Sequence, residues 1–243
     1  MAARSSGSSR RPGHHASLTA LNREILRCRR CPRLVRWREQ VAREKVRRYA
    51  TEQYWGRPIT GFGDPEAELL LVGLAPAAHG GNRTGRIFTG DESGRWLCRA
   101  LYKAGFANQA RSISRSDGLE LRGCYVSAAV RCAPPANKPL AAEVHRCAPF
   151  LHQEMLLLPR LRVIVGLGAL GFRAAADALR ASGRAQFSRR PAFAHGIRHR
   201  LGEISLVGSY HPSQQNTFTG RLSEPMFDAI FELARQELRT GSR

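Results

Sequence analysis

From about residue 60 onward the chain alternates short continuous apolar runs with stretches whose apolar side chains recur at helical spacing. The continuous runs are 68–74 (ELLLVGL), 123–130 (GCYVSAAV), 162–167 (RVIVGL) and 203–209 (EISLVGS). Short apolar runs without polar alternation read as strands buried on both faces. Each is followed by a loop and then a helical pattern, near 92–105, 139–158, 169–182 and 222–238. That order predicts an α/β fold with a parallel sheet covered by helices on both faces. Ahead of it, 17–48 reads as two helices around a break at Cys31-Pro32, with Ser17 as N-cap. A Gly/Pro-rich passage over 56–65 leads into the core. In open sheets of this kind ligands bind beyond the carboxyl ends of the strands, so the four loops after the strands are where chemistry is expected.

A chain of 243 residues can bury one good core, which predicts a single domain over 17–243. Residues 1–16 hold no acid and no apolar run; a secretory signal is excluded and a disordered basic tail is expected. No apolar run approaches the roughly 20 residues that cross a bilayer, because Arg160 and Arg162 interrupt the longest candidate. A soluble intracellular protein follows as an expectation. The formal net charge is +20, with 39 basic against 19 acidic residues, and only Lys45, Lys103 and Lys138 among the basic ones are lysines. Such an excess favours a polyanionic partner, and the arginine fork suits phosphate oxygens and base edges.

Six cysteines in an intracellular chain point to metal or burial rather than disulfides. Cys28 and Cys31 share one turn ahead of Pro32; Cys132 follows the second strand run and Cys147 lies in the next helix. Four thiolates can hold a tetrahedral zinc or a four-iron cluster. The wide split of the second pair is unlike a zinc ribbon and favours iron–sulfur. Cys98 and Cys124 sit in apolar surroundings and read as core.

The first strand-end loop, 73–91 (GLAPAAHGGNRTGRIFTGD), is rich in glycine, and its first carboxylate is Asp91 at a helix start. Asp91 reads either as an N-terminal helix acid or as an active-site carboxylate. The second loop, 131–139 (RCAPPANKP), offers Asn137, alternatively a turn residue. The third, Gly166 to Gly171, matches GxGxxG, but no acid occurs from Ala178 through Gly202 where a dinucleotide site needs one. Those glycines are expected to serve close helix–strand packing or a phosphate contact. The fourth, 209–216 (SYHPSQQN), sets His211 just past a strand with Pro212 behind it, the histidine best placed for catalysis. His79 is the least secure of the remaining seven histidines, because it lies in the first loop.

The segments GLAPAAHGGNRTGRIFTGD, VRCAPPANKP and SYHPSQQNTFTGR, with Cys28, Cys31, Cys132 and Cys147, resemble the type B (family 5) uracil-DNA glycosylases over about residues 20–238. The resemblance implies one α/β/α domain of three layers around a central four-stranded parallel sheet, with the N-terminal helices helping to bind a [4Fe–4S] cluster on those four cysteines. It implies excision of uracil, and also hypoxanthine and etheno-cytosine, from DNA. Asp91, Asn137 and His211 take the catalytic positions, and Ala75 and Phe88 those that bind the base. Arg83, Arg86, Gln215, Asn216 and Arg221 are expected to meet DNA. The stretch Ala75-Pro76-Ala77-Ala78 lacks the acid or amide found in much of the wider superfamily, and Ser127-Ala128-Ala129 lacks the asparagine that other branches use to read uracil. Both departures fit the type B subclass and loose base selection. The implied partner is DNA, the protein acting as a monomer in the cytoplasm at the nucleoid. The competing reading is a non-catalytic nucleic-acid-binding module with a structural zinc.

Overall fold

The computed structural model describes residues 17–240; the expected basic tail 1–16 lies outside them. Six strands, β1 (Phe62–Gly63), β2 (Leu69–Gly73), β3 (Cys124–Ala128), β4 (Val163–Leu167), β5 (Arg198–Leu201) and β6 (Ile204–Ser209), form one sheet in the order β1-β3-β2-β4-β6-β5. The four inner strands are the four apolar runs; they are mutually parallel and every one of their residues is buried. The expectation of a central four-stranded parallel sheet therefore holds for the middle of a larger sheet. Its two edge strands run antiparallel to their neighbours. They gave no apolar signal: β1 has two residues in the Gly/Pro passage, and β5 reads Arg-His-Arg-Leu, alternately exposed and half-buried.

Successive strand residues face opposite layers. Leu69, Leu71, Val126, Val165 and Val207 pack on α4 (Glu92–Lys103) and α8 (Glu224–Thr240), around Leu97, Leu101, Phe227 and Phe231. Leu70, Val72, Tyr125, Ile164 and Leu206 pack on α5 (Ala141–Leu156) and α6 (Gly168–Ala181), around Leu151, Met155, Phe172 and Leu179. The result is the three-layer α/β/α arrangement. A third apolar cluster joins α1 (Leu18–Arg27) and α2 (Pro32–Glu44) to the end of β3 and to α5, through Leu21, Ile25, Leu34, Val130 and Phe150. Ser17 caps α1, its hydroxyl accepting the Ala20 N–H at 3.2 Å. Pro32 opens α2, where its missing N–H costs nothing. Two short helices absent from the sequence pattern, α3 (Gly81–Thr84) and α7 (Gln214–Phe218), lie in the first and last strand-end loops. Among the described residues no helix is long and apolar enough to cross a membrane.

Candidate active site

The first strand-end loop is not open chain; buried arginines hold it together. Arg83 donates to the carbonyls of His79 (2.7 Å) and Gly90 (2.8 Å) and pairs with Glu52. Arg86 donates to Thr89 Oγ1 and Ser112 Oγ, both at 2.9 Å, and pairs with Asp117 at 2.8 Å. Both side chains are buried, so the expected phosphate contacts at Arg83 and Arg86 are corrected: they bond to the loop itself and to Glu52, Ser112 and Asp117 packed against it. His79 is likewise engaged, its Nδ1 lying 3.1 Å from Tyr54 Oη.

This frame fixes Phe88 in the left-handed region at φ 48°, an unfavourable place for a bulky side chain, at a cost of about 1–3 kcal/mol. The ring lies over the end of β2. A Cβ on Gly73 would come within 2.7 Å of it, so the glycine makes room for the aromatic. Three residues later Asp91 caps α4, Oδ1 accepting the Gly94 N–H at 2.8 Å. Its Oδ2 rests on Gly80, where a Cβ would stand 1.9 Å away. Asp91 is thus a helix cap and also a carboxylate on the inner wall of the loop. Burial raises its pKa, opposed by the Gly94 N–H and the positive charge of Arg83, and assisted by Glu92.

From the other side β6 delivers His211. Its ring centroid is 5.8 Å from that of Phe88 at an interplanar angle of 31°. Gly168, at the start of α6, leaves space for it: a Cβ there would lie 3.2 Å from His211 Cβ. The remaining glycines of the GxGxxG match serve packing, since a Cβ on Gly166 would strike the Phe172 backbone at 2.3 Å and one on Gly171 the Val72 carbonyl at 2.3 Å. Burial pushes His211 down to about 4, which leaves a neutral imidazole at physiological pH. Phe88 and His211 therefore meet at the carboxyl ends of β2 and β6, and Asp91 lies three residues beyond Phe88 on the same loop.

The other assigned residues sit elsewhere or act differently. Asn137 is exposed on a turn over Pro135–Asn137 with φ 55°. Among the described contacts none joins it to Phe88, Asp91 or His211. Ala75 packs against the cysteine-side cluster. Asn216 donates its amide to the His211 carbonyl at 2.9 Å. Gln215 is exposed, and Arg221, also exposed, lays its guanidinium 4.7 Å over the Tyr210 ring.

The four cysteines line one cavity with Arg131 and Arg146. Two N–H donors point at its sulfurs: Arg38 Nη1 to Cys132 Sγ at 2.9 Å, and the Arg131 backbone to Cys147 Sγ at 3.3 Å. Arg38 is buried, and the Glu39 carboxylate approaches it only to 3.8 Å. A buried guanidinium aimed at sulfur fits a thiolate far better than a thiol. Without a metal, burial would hold Cys132 at about 11 and Cys147 at about 12. Among the described residues no three His, Cys, Asp or Glu side chains are gathered as they would be around a single ion. Cys98 lies in the α4 face of the core, its thiol donating to the Gln109 carbonyl at 3.3 Å, and Cys124 is fully buried.

Residues 60–235 match the model of the uracil DNA glycosylase superfamily. Curated relatives are each described as a type-5 uracil-DNA glycosylase. The one from Mycobacterium tuberculosis is 48% identical over 226 residues, covering 92% of this chain and 83% of its own. That from Thermus thermophilus is 50% identical over 210 residues, 86% of this chain and 93% of its own. That from Pyrobaculum aerophilum is 46% identical over 199 residues, 82% and 84%.

Proposed function

Because the chain belongs to the uracil DNA glycosylase superfamily, and within it to the type-5 uracil-DNA glycosylases, we propose that Phe88, Asp91 and His211 form its base-excision centre. The chain excises uracil from DNA by hydrolysing the N-glycosidic bond, leaving an abasic site. The observation that carries the assignment of residues is the approach of the Phe88 and His211 rings to 5.8 Å, at the strand ends where α/β sheets bind ligands, with Asp91 on the same loop as Phe88.

A base inside a duplex is out of reach and is flipped, at a cost of a few kcal/mol that is smaller for a mispaired uracil. Phe88 stacks on the extruded base. As the bond breaks, negative charge grows on the base and positive charge on the sugar. His211, neutral, donates an N–H to the base where that charge develops. Asp91, when ionised, stabilises the sugar cation or orients the attacking water. With small residues at the end of β3, Ser127-Ala128-Ala129, where other branches carry an asparagine, selection is loose, and hypoxanthine and etheno-cytosine are further substrates. Exposed arginines, Arg221 among them, meet phosphates, so affinity for DNA falls steeply with salt. The protein acts as a monomer in the cytoplasm on chromosomal DNA. Strand cleavage after alkali, on oligonucleotides bearing uracil, hypoxanthine or etheno-cytosine, tests the activity and its range; intact strands with all three would sink it.

Asp91→Asn separates cap from catalyst, since asparagine caps a helix as well as aspartate. The variant is expected to keep its thermal midpoint and to excise uracil at least about tenfold more slowly. Because the pKa of Asp91 is raised, wild-type excision climbs with pH as the carboxylate ionises, and Asp91→Asn lacks that climb. Equal rates and equal pH profiles would make Asp91 a cap alone.

Cys28, Cys31, Cys132 and Cys147 hold a [4Fe–4S] cluster that ties α1 and α2 to α5 and the loop after β3. The shared cavity and the N–H donors on sulfur support thiolates gathered around one metal centre. The purified protein is expected to be brown with about four irons per chain, and Cys132→Ser to lose colour and thermal stability together. Colourless protein carrying one zinc would favour the zinc reading.

A further inference from the structure

A histidine outside the proposed centre holds the backbone from which His211 projects. The segment before β5 runs beside the end of β6. The Gly196 N–H donates to the Gly208 carbonyl at 2.8 Å, and the Gly208 N–H donates to the Ile197 carbonyl at 2.9 Å. Contact this close needs glycine at 208, where a Cβ would stand 2.3 Å from the Ala194 carbonyl oxygen. His195 is thereby set against Tyr210, the residue before His211. The two rings stack with centroids 4.9 Å apart at 23°. His195 Nδ1 lies 3.0 Å from the Tyr210 backbone nitrogen. A backbone N–H can only donate, so Nδ1 is the acceptor and the ring is neutral with its proton on Nε2.

The remaining bonds around His211 come from its own neighbours. Ser209 Oγ donates to the Tyr210 carbonyl at 2.9 Å. The His211 carbonyl accepts from Asn216 Nδ2 at 2.9 Å and from the Ser213 N–H at 2.8 Å. Beyond the β4 ladder, which pairs Leu167 with Ser209, only the His195 bond among these reaches in from a separate part of the chain. It fixes the chain direction as β6 ends and turns towards Phe88.

We propose that His195 is a positioning residue for excision: its unprotonated Nδ1 accepts the Tyr210 N–H and so aims His211 at the base. The inference rests on His211 as the donor to the base. His195→Phe keeps a ring to stack and removes the acceptor; His195→Asn places a carbonyl oxygen near the position of Nδ1. At saturating enzyme His195→Phe is expected to excise uracil about tenfold more slowly with DNA affinity within about twofold, and His195→Asn to recover to within about threefold of wild type. Wild-type rates in His195→Phe overturn the proposal. So does a His195→Asn variant as slow as His195→Phe, or a loss of rate matched by loss of thermal midpoint and DNA affinity in both, which would mark a general packing role. A long-range proton–nitrogen spectrum of the wild type at neutral pH is expected to show His195 protonated on Nε2 alone; a proton on Nδ1 overturns the proposal independently of the variants. Inactive wild type, or fully active His211→Ala, would instead remove the reading beneath it.

Discussion

Replacing His211 with alanine is expected to slow single-turnover excision of uracil by roughly 100-fold or more, the usual effect of deleting one donor to a developing anion. DNA affinity should change little, because the contact strengthens only as the bond breaks. The ring is placed for this by Gly168 beneath it, Phe88 across from it and two bonds on its own carbonyl. Its pKa near 4 also means that the donor is a neutral imidazole N–H. The unfolded chain takes up this proton near pH 6.5, whereas the folded protein resists it until about 4. The contribution of His211 to stability is therefore whole above pH 6.5 and is lost as the pH falls towards 4. His211→Ala should accordingly lose less stability than the wild type over that interval, while losing most of its activity at pH 7. Excision at the wild-type rate would show that the ring donates nothing. An activity that rises on protonation near pH 6.5 would show an imidazolium at work.

Glu154→Ala is expected to cost about 3–5 kcal/mol of stability, measured by urea unfolding, because it strands a buried charge. Glu154, in α5, is fully buried and accepts from Arg131 Nη2 and from Ser127 Oγ; Arg131 is 2% exposed. Space around the pair is tight: a Cβ on Gly61 would stand 2.6 Å from Glu154 Oε1 and 2.5 Å from Tyr125 Oη. With the carboxylate gone, the buried guanidinium loses the ion-pair partner it donates to. The damage should spread to the cysteine cavity, since the backbone N–H of Arg131 donates to Cys147 Sγ. Removing both charges, as Arg131→Met with Glu154→Leu, should recover much of the loss, as replacing a buried ion pair by apolar side chains often does. A cost below about 1 kcal/mol for Glu154→Ala would show that solvent reaches the pair.

The four inner strands were legible because both faces of each are buried, so apolar residues follow one another without a break. β1 and β5 were not, because an edge strand needs no such run. That gap hid His195, whose approach to Tyr210 depends on the pairing of residues 194–197 with Gly208 ahead of β5. Arg83 and Arg86 were misread for a different reason. Arginine types alone do not separate a surface cation from a buried clamp, and the carboxylates that neutralise them, Glu52 and Asp117, each lie 31 residues away in sequence. Asn137 and Asn216 show the same limit for amides, one left on the surface and the other turned back on the His211 carbonyl. His211 could be singled out from its loop and Phe88 from the family resemblance, but their approach, and the left-handed backbone at Phe88, depend on the tertiary frame.

The most direct test of the excision centre is a structure of the protein bound to DNA that carries 2′-fluoro-deoxyuridine, whose glycosidic bond resists cleavage. The uracil should be found out of the helix, stacked on the Phe88 ring, with a His211 nitrogen about 3 Å from a base oxygen and the Asp91 carboxylate facing the sugar. A uracil still paired within the duplex, or seated away from Phe88 and His211, would contradict it.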